Sequence, residues 1–390
     1  MLYDSKKIVL MDVREFDNIR PYDDAQTAEA LKRIAKAPEI KQVCEFLHGS
    51  GLKEDSLREL LCSLNGIDEF QVKVMASVVR AIISKTTKGI ETSGIENIKN
   101  GKKHILISNH RDIMLDPAII QLILFENGVS TTEIAVGDNL IANQFIEDAF
   151  RSNRMIKVTR GGTPREKYTA SKQLSAYLRS CVVSDRCSVW IAQRNGRSKD
   201  GKDMTEQGVL KMFEMSGEVD FVNNFDALSI LPVSISYQFE PCDFLKAREL
   251  YITRAVGQYI KSPGEDTQSI LIGLMQDKGH VSFDFSPEIS REEITQCAKL
   301  DKNERFLALA EAIDKRINSN YKLWDNNYIS YDLLNGTDKH SDKYTPEAKG
   351  YFITYMEKGL STIVEREPNI DYNKLKEIFL SIYANPVSCR

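Results

Sequence analysis

A histidine with aspartates two and six residues further on lies in Ser108-Asn109-His110-Arg111-Asp112-Ile113-Met114-Leu115-Asp116-Pro117. An imidazole takes up and releases protons near neutrality, and a carboxylate on its other nitrogen fixes the tautomer. The residue types therefore suit a general base, His110, with Asp116 or Asp112 as a carboxylate partner. Spacing alone does not bring the pair together, because residues five or six apart do not share a face of a straight helix. They meet only if His110 lies in a turn that folds back onto a helix. Taken alone, the stretch fits a structural histidine and a helix cap equally well.

The flanking residues describe such a turn. Ile105-Leu106-Ile107 is a short apolar run of the kind found in buried strands. Asp116-Pro117 opens a second run, Ala118 to Phe125, closed by Glu126-Asn127-Gly128, which is the punctuation of a helix. In open α/β folds, chemistry gathers at the carboxyl ends of strands.

Two later stretches repeat the plan of a strand followed by a cationic turn. Arg154-Met155-Ile156-Lys157-Val158-Thr159-Arg160-Gly161-Gly162 places Arg160 beside two glycines. Trp190-Ile191-Ala192-Gln193-Arg194-Asn195-Gly196-Arg197-Ser198-Lys199 adds Arg197 and Lys199. Arginine offers planar bidentate donors and glycine allows close backbone approach, so both turns suit a phosphate. Either could also be a solvated loop. No nucleotide-binding fingerprint or P-loop surrounds them, which argues against a nucleotide-dependent kinase.

Helical patterns fill the chain to about residue 88: Ala25 to Ala37, Glu39 to Leu47, Ser56 to Leu64 and, longest, Glu69 to Lys85. β-like runs at 103–107, 133–136, 155–158, 188–192, 227–236 and 280–285 then alternate with helical segments. Those are 117–126, 144–151, 164–179, 206–215 and 244–260. The alternation predicts an α/β fold with a mixed sheet covered by helices on both faces. It follows a small N-terminal helical domain, 1–88, within an 89–390 unit that carries a C-terminal helical extension from about 290. Phe306 to Ile317 is the clearest C-terminal helix.

The 390 residues carry a formal charge of −4 and a pI near 5.9, against a general nucleic-acid partner. The seven cysteines are odd in number and scattered, with neither a disulfide framework nor a C-x-x-C metal site, and point to a reducing compartment. The N-terminal residues, with the short run Ile8-Val9-Leu10-Met11, lack a signal-peptide pattern, and no window has the 18 or so apolar residues of a membrane span. A cytoplasmic location, with at most peripheral membrane contact, is expected.

Together with Leu231-Pro232-Val233-Ser234, these stretches occur in an order that resembles the glycerolipid acyltransferase superfamily. The likeness is greatest to soluble glycerol-3-phosphate acyltransferases of the plastid type. It rests on Asn109-His110…Asp116-Pro117-Ala118-Ile119-Ile120, Val158-Thr159-Arg160, Asn195-Gly196-Arg197-Ser198 and the proline-bearing strand. Ala135-Val136-Gly137-Asp138-Asn139-Leu140 and Val189-Trp190-Ile191-Ala192 are similar to further segments of that group, and the likeness spans roughly residues 90 to 290. Two departures stand out. Five residues rather than four separate His110 from Asp116, and the family's Glu-Gly in the third motif is absent.

The resemblance implies transfer of a fatty acyl group to glycerol 3-phosphate in phospholipid synthesis. The co-substrate would be acyl-coenzyme A or acyl carrier protein, with no further cofactor and no metal. His110 would deprotonate the acceptor hydroxyl and Asp116 would orient it, because Asp116-Pro117-Ala118-Ile119-Ile120 is the continuation that matches, with Asp112 as the fallback. Arg160, Arg197 and Lys199 would hold the acceptor phosphate. Lysophosphatidate or another lipid acceptor is the nearest rival. A catalytically silent module that binds acyl carrier or lipid phosphate is the rival of another class.

Overall fold

The computed structural model describes residues 13–46, 53–99, 101–217 and 220–390. The expected helix end at Leu47, the Gly49-Ser50-Gly51 breaker and the Ile8–Met11 run lie outside the described residues.

Helices α1 (Asp24–Lys36), α2 (Glu39–Phe46) and α3 (Glu54–Ser63) lead into α4 (Ile67–Phe70) and α5 (Ala76–Thr86). The first starts in a capping box, Asp23 accepting from Gln26 N (2.8 Å) while Gln26 accepts from Asp23 N (3.1 Å). Leu31 and Ile34 of α1 bury against Leu57 and Leu61 of α3, with Phe145 and Ala149 packed on the same core. The segment expected as one long helix holds a π-helical turn, Gln71–Met75, between α4 and α5. There the Gln71 amide bonds to Asn153 (3.1 Å) and Thr131 (2.8 Å).

The strands are β1 (Gly89–Ser93), β2 (Ile105–Ser108), β3 (Glu133–Gly137), β4 (Met155–Val158), β5 (Val189–Ala192), β6 (Ile230–Tyr237) and β7 (His280–Phe285). They form one sheet in the order β1-β7-β6-β2-β5-β3-β4. Only β6 and β7 pair antiparallel, so the sheet is mixed. The edge strand β1 escaped the sequence pattern because Gly89-Ile90-Glu91-Thr92-Ser93 has no buried face and is held by its register with β7.

Helices α6 (Leu115–Glu126), α7 (Gln144–Arg151), α8 (Pro164–Val183), α9 (Gln207–Glu214), α10 (Phe221–Asp226), α11 (Asp243–Val256) and α12 (Glu265–Met275) separate or follow the strands. The C-terminal part adds α13 (Arg291–Ala298), α14 (Glu304–Asn320), α15 (Asp325–Asn335), α16 (Pro346–Arg366) and α17 (Tyr372–Ser388). Short α10 and α12, which starts after Gly264 in the left-handed region, were not expected.

Strand alternation sorts the core. Ile105, Ile107, Val189, Ile191 and Ile230 face α8, α9, α10, α13 and α14. Leu106, Trp190, Leu231, Val233 and Ile235 face α5 and α6. Burying each such aliphatic side chain contributes about 1.5–3 kcal/mol. This two-sided burial holds the strand ends in place. Helices α15–α17 build a separate core around Ile329, Phe352, Met356, Leu375 and Phe379, which also takes in Phe239 and Ala247. Among the described residues no helix is long and apolar enough to cross a membrane.

Candidate active site

Because β2, β3, β4, β5 and β6 run parallel, their carboxyl ends share one edge of the sheet. Both β2 and β6 are buried along their whole length, and β2 delivers Asn109 and His110 to that edge. Asn109, with no exposed surface, locks the turn to β6: its Oδ1 accepts from Ile235 N and its Nδ2 donates to Ile235 O, both at 2.8 Å. Ser198 N donates to His110 O (2.8 Å), tying in the cationic turn after β5.

The two aspartates take different tasks. Asp112 Oδ1 accepts from Met114 N (2.9 Å) and Leu115 N (2.8 Å), so Asp112 braces the turn that leads into α6 and is not among the partners of His110. Burial, and then the adjacent Asp116 charge, push the Asp112 carboxyl up. Asp116, in the first turn of α6, accepts from His110 Nδ1 at 2.8 Å. The extra residue between histidine and aspartate is taken up in the Asp112-braced turn. Asp116 Oδ2 also accepts from Arg111 N (2.5 Å) and Asp112 N (2.9 Å), while Oδ1 accepts from the Tyr237 hydroxyl (2.8 Å).

A carboxylate can only accept from His110 Nδ1, which makes Nδ1 the protonated nitrogen and Nε2 the basic one. The imidazole is 13% exposed and lines a cleft of about 320 Å³. Trp190 packs its ring edge-on at 5.6 Å from the imidazole and donates Nε1 to Ser108 Oγ (3.0 Å).

The cleft also gathers the expected cations. Arg160 sits exposed at the end of β4, its N donating to Asp138 Oδ1 (3.0 Å) and its Nη1 to Asn195 Oδ1 (2.6 Å). Arg197 lines the same wall with a buried Nη1 that has no hydrogen-bond partner among the described residues. Lys199 is placed there too, but its ammonium pairs with Glu249 of α11, which takes up the charge expected to serve a phosphate. Arg194 joins the cleft from the same turn, and Lys261 enters from the segment before α12, paired with Asp266. Lys261 carried no signal in the sequence, since it lies in no strand-end motif.

Beneath the turn lies a buried group that local reading missed. Arg111 pairs with Asp203 and, at 3.4 Å, with Glu240; Lys246 Nζ donates to Glu240 Oε1 (2.5 Å) and to Arg111 O (2.8 Å). Burial pushes the Asp203 carboxyl up, and the Arg111 charge opposes it. Elsewhere, among the described residues, Glu133, Cys181 and Cys187 could offer metal ligands. They lie at the far end of β3 from His110, and Arg186 already donates to both Glu133 and Cys181 at 2.7 Å.

The strand-end histidine, its buried carboxylate and the three arginines of the cleft all fall within one segment. Residues 89–236 match the family model described as Acyltransferase. The match runs from β1 into β6, less than half of the chain, and names neither acceptor nor donor. No curated protein matches the chain. Among solved structures, the 1-acyl-sn-glycerophosphate (LPA) acyltransferase from Thermotoga maritima is similar at 13% identity and a TM-score of 0.40. That likeness covers 76% of this chain and 95% of the other.

Proposed function

We propose that this chain transfers a fatty acyl group from an acyl thioester, acyl-coenzyme A or acyl carrier protein, to a hydroxyl of glycerol 3-phosphate. The observation that carries this reading is His110, backed by buried Asp116, opening onto a cleft whose facing wall holds Arg160, Arg194 and Arg197. The arginines hold the acceptor's phosphate and so bring its hydroxyl to Nε2. His110 takes the hydroxyl proton as the oxygen attacks the thioester carbonyl. The tetrahedral intermediate collapses, the C–S bond breaks, and the imidazolium returns its proton to the leaving thiolate. Asp116 holds the tautomer and stabilises the imidazolium. The reaction would take place in the cytoplasm, at the surface of the membrane that receives the product.

The test is transfer of radiolabelled acyl groups to glycerol 3-phosphate from both thioester donors, with His110→Ala beside the wild type. Product from the wild type and a loss of about 10² to 10⁴ in the variant is expected. Product with lysophosphatidate alone would replace the acceptor. No product with either acceptor, from folded protein, would leave a binding module.

A further inference from the structure

Asp116 has no exposed surface, and a buried carboxylate is tolerated only when its lone pairs are hydrogen-bonded. Its two oxygens are served unequally. Oδ2 receives His110 Nδ1 and two backbone N–H groups, all from the same turn. Oδ1 receives the Tyr237 hydroxyl, from the last residue of β6, 121 positions away. The Tyr237 ring is 1% exposed and belongs to the apolar core with Leu106, Leu231 and Phe283. Its backbone is set by the antiparallel register that places it opposite Val281. Burial, and then the Asp116 charge, hold the phenol well above the usual tyrosine range, so it remains a donor.

We propose that Tyr237 is a positioning residue for the His110–Asp116 pair. It does not line the cleft and touches no reacting atom. Its hydroxyl binds Oδ1 and turns the carboxylate so that Oδ2 faces His110 Nδ1. Without it, Oδ1 loses that hydrogen bond in a fully buried place. The carboxylate is then free to rotate away from Nδ1, and its hold on the imidazolium weakens. The role in catalysis rests on the acyltransfer reading above; the hydrogen bond to Asp116 and its effect on His110 do not.

Tyr237→Phe removes the hydroxyl and keeps the ring. Ser236→Ala, next to it on β6, is the control, since the Ser236 hydroxyl is buried without a hydrogen-bond partner among the described residues. In the full-length protein, Tyr237→Phe should lower kcat about 10- to 100-fold, the range for a hydrogen bond to a charged group, with the acceptor KM within about twofold. Ser236→Ala should match the wild type. In an Asp116→Asn background, where the charge is already gone, Tyr237→Phe should change kcat far less.

The low-field proton resonance of His110 Nδ1–H, identified by its loss in His110→Ala, should move or exchange away in Tyr237→Phe. It needs no substrate, so it tests Tyr237 even if the wild type transfers no acyl group. An unmoved resonance overturns the proposal whatever the rates do. So does an unchanged kcat in an active enzyme, or an equal loss of kcat in the presence and absence of the Asp116 charge. Should Tyr237→Phe fold poorly, the Nδ1–H resonance in Asp116→Asn is the remaining test: an unmoved signal there removes the carboxylate through which Tyr237 acts.

Discussion

Replacing Asp116 by asparagine isolates the charge behind the base. Three donors, His110 Nδ1, Arg111 N and Asp112 N, converge on Oδ2. An asparagine turned with its carbonyl oxygen there still accepts all three, and its amide can donate to the Tyr237 oxygen. The imidazole keeps its tautomer and place, and only the negative charge is lost. With imidazolium and carboxylate centres about 4 Å apart and an effective dielectric near 20, that charge is worth about 4 kcal/mol. The rate should therefore fall about 10³-fold. Initial rates at saturating donor and acceptor, with melting temperatures alongside, measure it. Asp112→Asn is the matched comparison, because an asparagine carbonyl oxygen can also accept from the Met114 and Leu115 amides that Asp112 serves. It should lose only a few-fold in rate. A rate for Asp116→Asn above a tenth of wild type, or an equal loss in Asp112→Asn, would refute the assignment of Asp116 as the partner of His110.

Arg197→Ala should raise the acceptor KM at least about tenfold, the loss of one charge-assisted hydrogen bond. Lys199→Ala should change it much less, because Glu249 already holds that ammonium; parallel KM measurements compare them. Gly137→Ala places a methyl group 2.9 Å from Arg160 Nε and 2.5 Å from Asn139 Oδ1, so Arg160 must move. Its acceptor KM should rise while the melting temperature stays near that of the wild type. Burial lowers the Lys278 ammonium from 10.5 to about 8. Between those values the unfolded chain binds more protons than the folded one, so stability rises with pH across that window. Lys278→Met should abolish the rise and add about 3 kcal/mol near pH 7, less the hydrogen bond to Gln276 O, as read by denaturant unfolding at several pH values.

Much of the fold was legible because its core strands are continuous apolar runs bounded by turn residues. Ile105–Ile107 and Val189–Ala192 announce buried strands by composition alone, and Asp116-Pro117 ahead of an apolar run announces a helix. What composition could not announce was β1, whose residues are polar and whose strand exists only through pairing with β7. The fusion of α4 and α5 through a π-helical turn was equally out of reach, since five residues are too few for an apolar pattern to tell a π turn from an α turn.

For the candidate site, the chain by itself determined the kinds of group and the strand ends that carry them: an imidazole, nearby carboxylates and arginines beside glycines. Which carboxylate meets the imidazole was left to the folded turn. The amides of Met114 and Leu115 lie closest to Asp112 and claim it, while the first turn of α6 swings Asp116 back to His110. The same holds for Tyr237 on Asp116, for Glu249 on Lys199, and for the buried Arg111, Asp203, Glu240 and Lys246. These partners are 50 to 135 residues apart, apart from the Glu240–Lys246 pair. Sequence spacing constrains neighbours within a turn or two. Contacts across a sheet are set by strand order and register, and only the assembled sheet supplies those.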